Sequence, residues 1–136
     1  MIIDATDLIL GRFAAVAAKK ALLGEKVDIV NCENAIVSGS RQNILAKYHQ
    51  KRERRTIMGP YFPRTPDRLV RRTIRGMLPH KTAKGRDAFK RVMCYLGVPE
   101  NLKNEKKETI NEANVSKLPV LKFMTVGEIC EQIGIR

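Results

Sequence analysis

Four arginines, Arg68, Arg71, Arg72 and Arg75, stand at positions i, i+3, i+4 and i+7. On a helix that spacing gathers four guanidinium groups on one face, and each guanidinium fork can bond two oxygens of a phosphate or carboxylate at once. The chemistry this predicts is anion recognition, not bond making. Like charges at i,i+4 destabilise an isolated helix by about 0.2–0.5 kcal/mol per pair, so the face is unfavourable until something acidic neutralises it. The chain does not supply that partner in bulk, because Glu53, Asp67 and Asp87 are the only acids between residues 41 and 91. Lys51, Arg52, Arg54 and Arg55 precede the four arginines, and His80, Lys81, Lys84 and Arg86 follow them. Tyr61 and Phe62, between Pro60 and Pro63, add flat surfaces suited to stacking on unpaired bases. They are equally suited to tucking a Pro-rich loop onto the core.

The residue types that would support catalysis are not arranged for it. His49 and His80 lie among basic residues, where a positive field disfavours imidazolium and no adjacent acid orients the ring. The Ser38-Gly39-Ser40 turn is placed like a phosphate-binding turn but matches neither G-x-x-x-x-G-K-[ST] nor G-x-G-x-x-G, and Gly11 stands alone after the first strand. Asp4, Asp7 and Asp28 show no metal-ligand spacing, and Asp4 and Asp28 suit strand-end or capping roles. Cys32, Cys94 and Cys130 fit neither a disulfide framework nor a zinc site, so reduced thiols are expected. No catalytic residue, metal or cofactor is expected. An α/β enzyme using the Gly11 or Ser38-Gly39-Ser40 turn for a nucleotide or methyl donor is the competing class.

The charge balance sharpens the expectation of a polyanionic partner. The 136 residues carry a net charge of +12, yet residues 41–91 hold sixteen Lys and Arg against three acids. The surplus of thirteen leaves the other 85 residues at −1. A protein that is merely soluble intersperses its signs, so a basic segment on a nearly neutral scaffold indicates a polyanion-binding surface. With 43% hydrophobic residues the chain has material for one packed domain. No apolar run approaches a membrane span and no basic, signal-like N-terminus is present, so a soluble cytoplasmic protein is expected.

Alternating short elements must position this surface. Ile2–Ala5 predicts a strand, Arg12–Leu23 an Ala-rich helix stopped by Gly24, and Lys26–Cys32 a second strand. Ser38-Gly39-Ser40 predicts a turn and N-cap before a helix with Ile44, Leu45 and Tyr48 on its apolar stripe. Strand-helix-strand-helix order predicts right-handed crossovers and a parallel sheet. Lys51–Arg55 and the following proline-rich residues read as loop. Thr65-Pro66-Asp67 predicts a helix start, with the helix running to about Leu78 and packing Leu69, Val70, Thr73, Ile74 and Met77. Thr82 should cap a further helix through Val92. Met93–Leu96 and Val120–Met124 read as strands. Thr125-Val126-Gly127-Glu128 is a capping-box pattern opening a terminal helix, and residues 100–117 read as a polar surface excursion.

The run Arg75-Gly76-Met77-Leu78-Pro79-His80-Lys81-Thr82, followed by Lys84-Gly85-Arg86, closely resembles the universal large-subunit ribosomal protein L-thirteen family. Ile3-Asp4-Ala5 with Leu10-Gly11-Arg12, Val30-Asn31 with Ile36-Val37-Ser38-Gly39, and Gly59-Pro60-Tyr61 before Arg64 agree in the same order. The Gly-Pro-Tyr loop is similar to the archaeal and eukaryotic branch. The resemblance implies a single three-layer α/β/α domain on a mainly parallel four-stranded sheet, without enzymatic activity. It implies a protein of the large ribosomal subunit that binds and organises ribosomal RNA during assembly, beside neighbouring ribosomal proteins. By position it places Arg75, Pro79, His80, Lys81 and Thr82 in an RNA-facing motif and Arg64 in a basic loop. No membrane or small-molecule partner is implied.

Overall fold

The computed structural model describes residues 1–54, 57–58 and 62–134. The elements run β1 (Ile2–Asp4), α1 (Leu10–Leu22), β2 (Val27–Val30), β3 (Ile36–Ser38), α2 (Arg41–Glu53), α3 (Pro66–Met77), α4 (Ala83–Lys90), β4 (Val92–Cys94), β5 (Phe123–Thr125) and α5 (Val126–Gln132). Short 3-10 turns occupy Cys32–Asn34, Glu100–Leu102, Asn111–Ala113 and Val115–Lys117.

The α/β class is as expected, but the strands do not form one four-stranded parallel sheet. β1, β2 and β4 form a parallel sheet in the order β1-β2-β4, with Ile3 opposite Ile29 and Ile29 opposite Cys94. β3 and β5 form a separate antiparallel pair, with Val37 opposite Met124. The reason lies at Asn31, whose left-handed backbone (φ 55°) ends β2 and turns the chain into a 3-10 turn. That turn directs β3 away from the parallel ladder. Asn31 Nδ2 donates to Asp4 Oδ1 at 3.0 Å, and Thr6 donates to the same oxygen through its backbone N–H at 3.1 Å and its hydroxyl at 2.7 Å. The strand-end role expected of Asp4 is thus a junction between β1 and β2. Asp28 instead sits buried in the central strand, paired with Lys26 Nζ at 3.2 Å.

Residues 100–117 are more than a surface excursion. Glu108 lies parallel to Ile3 as a single bridge; its N–H donates to Ile2 O at 2.8 Å and its carbonyl accepts from Asp4 N at 3.1 Å. Ala113 is fully buried and its carbonyl accepts from Ile9 N at 2.7 Å, while Arg12 donates to Glu112 O at 3.0 Å. A polar composition concealed this because the anchoring is by backbone groups, which carry no side-chain signature.

The core gathers on α1 and the central strand. Phe13, Ala14, Ala17 and Ala21 of α1 are fully buried, as are Val27, Ile29 and Val30 of β2. Small alanines let α1 lie close to α3, whose Leu69, Val70 and Ile74 complete the interior. Gly24, at φ 99°, ends α1 as its position predicts. α2 extends to Glu53, so Lys51, Arg52 and Glu53 form its last turn and are not loop. Cations favour a helix C-terminus, and Arg52 also donates to the carbonyl of Ile133 after α5. α4 stops at Lys90, and β4 begins at Val92, one residue before the expected strand. The three thiols are all buried and unpaired. Burial and the nearby Asp67 charge push the Cys130 thiol up to about 12, and the adjoining Cys32 together with burial raises that of Cys94.

Candidate nucleic-acid interface

The arginine helix is built as its spacing predicts. Pro66 occupies the first turn of α3, and Pro66, Leu69, Val70 and Ile74 are buried. The opposite side carries Arg68 and Arg72, both exposed, with Arg71 and Arg75 half-buried at its margins. Two details differ. Thr65 takes the N-cap position, but its hydroxyl makes no capping bond and has no partner among the described residues. Met77, expected to pack, is 43% exposed, because the helix ends there and Leu78, already extended, turns inward instead.

Arg64, Arg68, Arg71, Arg72 and Arg75 line one side of a 650 Å3 cleft, with Phe62, Pro63, Thr65 and Phe89 completing it. A second cleft of 450 Å3 is lined by Tyr48, Lys51, Arg54, Phe62, Leu69, Arg72, Thr73 and Gly76. Phe62 and Arg72 belong to both. The ion pairs among the described residues are Lys20–Glu25, Lys26–Asp28 and Lys90–Asp87, so no arginine of either cleft is neutralised by a carboxylate there. Lys51 Nζ lies 5.0 Å from the Tyr48 ring centre and 5.7 Å from that of Phe62. Burial lowers the Lys51 pKa from its ordinary value, and the charges of Lys47, Arg54 and Arg72 push it the same way. The clefts therefore hold a positive field that an anion would relieve.

Not every basic residue singled out by spacing faces outward. Arg71 Nε donates to Val92 O at 3.0 Å, and its guanidinium carbon lies 4.2 Å above the Phe89 ring centre. Arg52 is held by Ile133. Thr82 caps α4: its hydroxyl accepts from Gly85 N at 3.2 Å and donates to Pro79 O at 2.8 Å. Gly85 is required beneath this turn, since a Cβ there would stand 1.9 Å from Pro79 O. His80 is half-buried and Lys81, Lys84 and Arg86 are exposed; none of the four lines either cleft, so they form a second basic patch beyond the end of α3. Arg55 and Tyr61 lie outside the described residues. Phe89 also belongs to the site, although nothing in the sequence marks it as a member. Its i, i+3 spacing to Arg86 carries no signal, and only the fold brings it to Arg71.

The turns that an enzyme would use are otherwise occupied. Gly11 lies inside the first turn of α1, and the hydroxyl of Ser40 accepts from Asn43 N at 3.4 Å to cap α2. Among the described residues no cluster of His, Cys, Asp and Glu could hold a metal ion, and no helix is long and apolar enough to cross a membrane.

Comparison with known proteins bears on the whole chain. Residues 1–101 match the family model described as Ribosomal protein L13. A protein of Methanosarcina barkeri named large ribosomal subunit protein uL13 is 49% identical over 135 residues, covering 98% of this chain and 96% of its own. Proteins of the same name from Natronomonas pharaonis and Methanocaldococcus jannaschii are 40% and 42% identical, covering 98% and 99% of this chain and 90% and 98% of their own. Nearly all of residues 102–136, outside the family model, are thus included in these alignments. On the RGMLPHKT run, the family model and near full-length identity of 40–49%, the chain belongs to the ribosomal protein L13 family and is a ribosomal protein, not an enzyme.

Proposed function

We propose that this chain is a structural constituent of the large ribosomal subunit that binds and organises ribosomal RNA during assembly, using the arginine face of α3 and its flanking basic segments. The observation that carries the reading is the convergence of Arg64, Arg68, Arg72 and Arg75 on one cleft without a carboxylate bonded to them among the described residues. The names of the relatives support the subunit, and the charge map supports RNA as the partner. In this reading Arg64, Arg68, Arg72 and Arg75 contact phosphates, Lys51 and Arg54 extend the contact along the second cleft, and His80, Lys81, Lys84 and Arg86 supply a separate patch. Arg52, Arg71 and Thr82 hold the scaffold that presents them. Neighbouring ribosomal proteins complete the surroundings.

Each phosphate contact releases about 0.7–0.9 counterions, which sets the slope of log affinity against log salt. Replacing Arg68, Arg72 and Arg75 with Gln should therefore flatten the slope for large-subunit RNA by about 2–3 units while leaving the fold intact. An unchanged slope would remove the arginine face from the contact.

A further inference from the structure

We infer that the cleft between Phe62 and Phe89 receives a single unstacked nucleotide, its base against an aromatic ring and its phosphate among Arg68, Arg72 and Arg75. The inference rests on the reading of the surface as an RNA contact and specifies which form of RNA enters it. A duplex presents phosphates on a convex surface and closes its base faces by stacking, so a duplex alone calls for a basic face without a cavity. This protein has an open cleft of 650 Å3, a volume within the roughly 300–1,000 Å3 of small-ligand sites. Two aromatic rings border it, and aromatic rings recognise the exposed face of any base that has left its stack.

The rings are braced differently. Phe89 is covered on one face by Arg71 at 4.2 Å, and Arg71 is itself held by Val92 O, which makes a rigid layered wall. Phe62 leans at 55° on Tyr48, with ring centres 6.0 Å apart, and is only half-buried. Phe89 is half-buried as well, but Phe62 bears only the Lys51 ammonium at 5.7 Å where Phe89 bears the Arg71 layer at 4.2 Å, so Phe62 offers the more open face. The guanidinium groups beside both rings place a phosphate-binding rim next to a base-stacking wall, the two halves of one nucleotide. Stacking tolerates every base, so the cleft selects an unpaired nucleotide and not a particular letter.

The chain contains no tryptophan, so Phe62→Trp creates a single fluorescent reporter in the cleft. With this variant a ten-nucleotide oligoadenylate should quench the emission, while a blunt RNA duplex of equal charge should bind with little quenching. Phe62→Leu should weaken the oligoadenylate about tenfold and leave duplex affinity within twofold. Adenosine monophosphate tests the alternative source of the same chemistry: the inference expects weak, millimolar quenching, since a free nucleotide lacks the flanking phosphates. Equal quenching by duplex and single strand, no effect of Phe62→Leu, or tight binding of the monophosphate alone would each overturn it. These failures are distinct from failure of the broader proposal, which would appear as salt-independent binding of both RNAs.

Discussion

Single residues decide how the turn after the arginine helix is made. Gly85 lies directly under the Pro79 carbonyl, and both bonds of the Thr82 hydroxyl depend on that approach. An added methyl meets backbone, which cannot swing aside as a flexible side chain can. Gly85→Ala should therefore destabilise the protein by about 2–3 kcal/mol, at the upper end of overpacking costs, as read from the denaturant midpoint. The same geometry changes how the Pro79–Thr82 motif is understood. A run that resembles an RNA-facing signature also contains the fold's helix cap, so Thr82 is committed to Pro79 and Gly85 while His80 and Lys81 remain on the surface.

At the scale of elements, what could be read from the chain divides by the range of the interaction. α3 was readable because its period, its proline start and its arginine stripe are local. α5 was readable for the same reason: Thr125 accepts from Glu128 N at 3.2 Å, and Glu128 Oε2 accepts from Thr125 N at the same distance. Removing that reciprocal cap by Thr125→Ala should cost about 1 kcal/mol, measurable by chemical unfolding, with Ser at the same position restoring most of it. The split into two sheets was not readable. Strands of three or four residues carry too little periodicity to declare a partner, and the choice between pairing β3 with the parallel ladder or with β5 rests on the left-handed turn at Asn31. Arg71 and Arg72 show the same limit at the site. Adjacent in sequence and equal in charge, they differ in role because only Arg71 reaches the Val92 carbonyl and the Phe89 ring.

Across the whole molecule, acid sensitivity should centre on the junction of β1 and β2. Burial raises the Asp4 pKa, but the hydrogen bonds from Asn31 and Thr6 and the charge of Lys107 outweigh it, and the carboxyl is held below its ordinary value of 3.8. A carboxyl depressed in the folded state adds stability that is complete above its unfolded pKa and is lost as pH falls through the folded one. Stability should thus decline below about pH 4 as the unfolded chain begins to take up this proton first. Asp4→Asn should lower stability near neutrality and flatten this acid limb; an acid limb of unchanged steepness in urea titrations would place the sensitivity elsewhere.

Both borders of the small parallel sheet carry a bond from outside it. On the outer side of β1, Glu108 takes up Ile2 O and Asp4 N; on β4, Arg91 O and Tyr95 N bond toward β2, so Val92 O points outward, where Arg71 meets it. Open strand borders are where chains add to one another, and short edge strands together with covering groups blunt that hazard. The strap at Glu108 and the Arg71 side chain leave fewer main-chain groups open to pairing on these borders. Arg71 thus serves two structural roles at once, layering the Phe89 ring and covering a carbonyl on the β4 border.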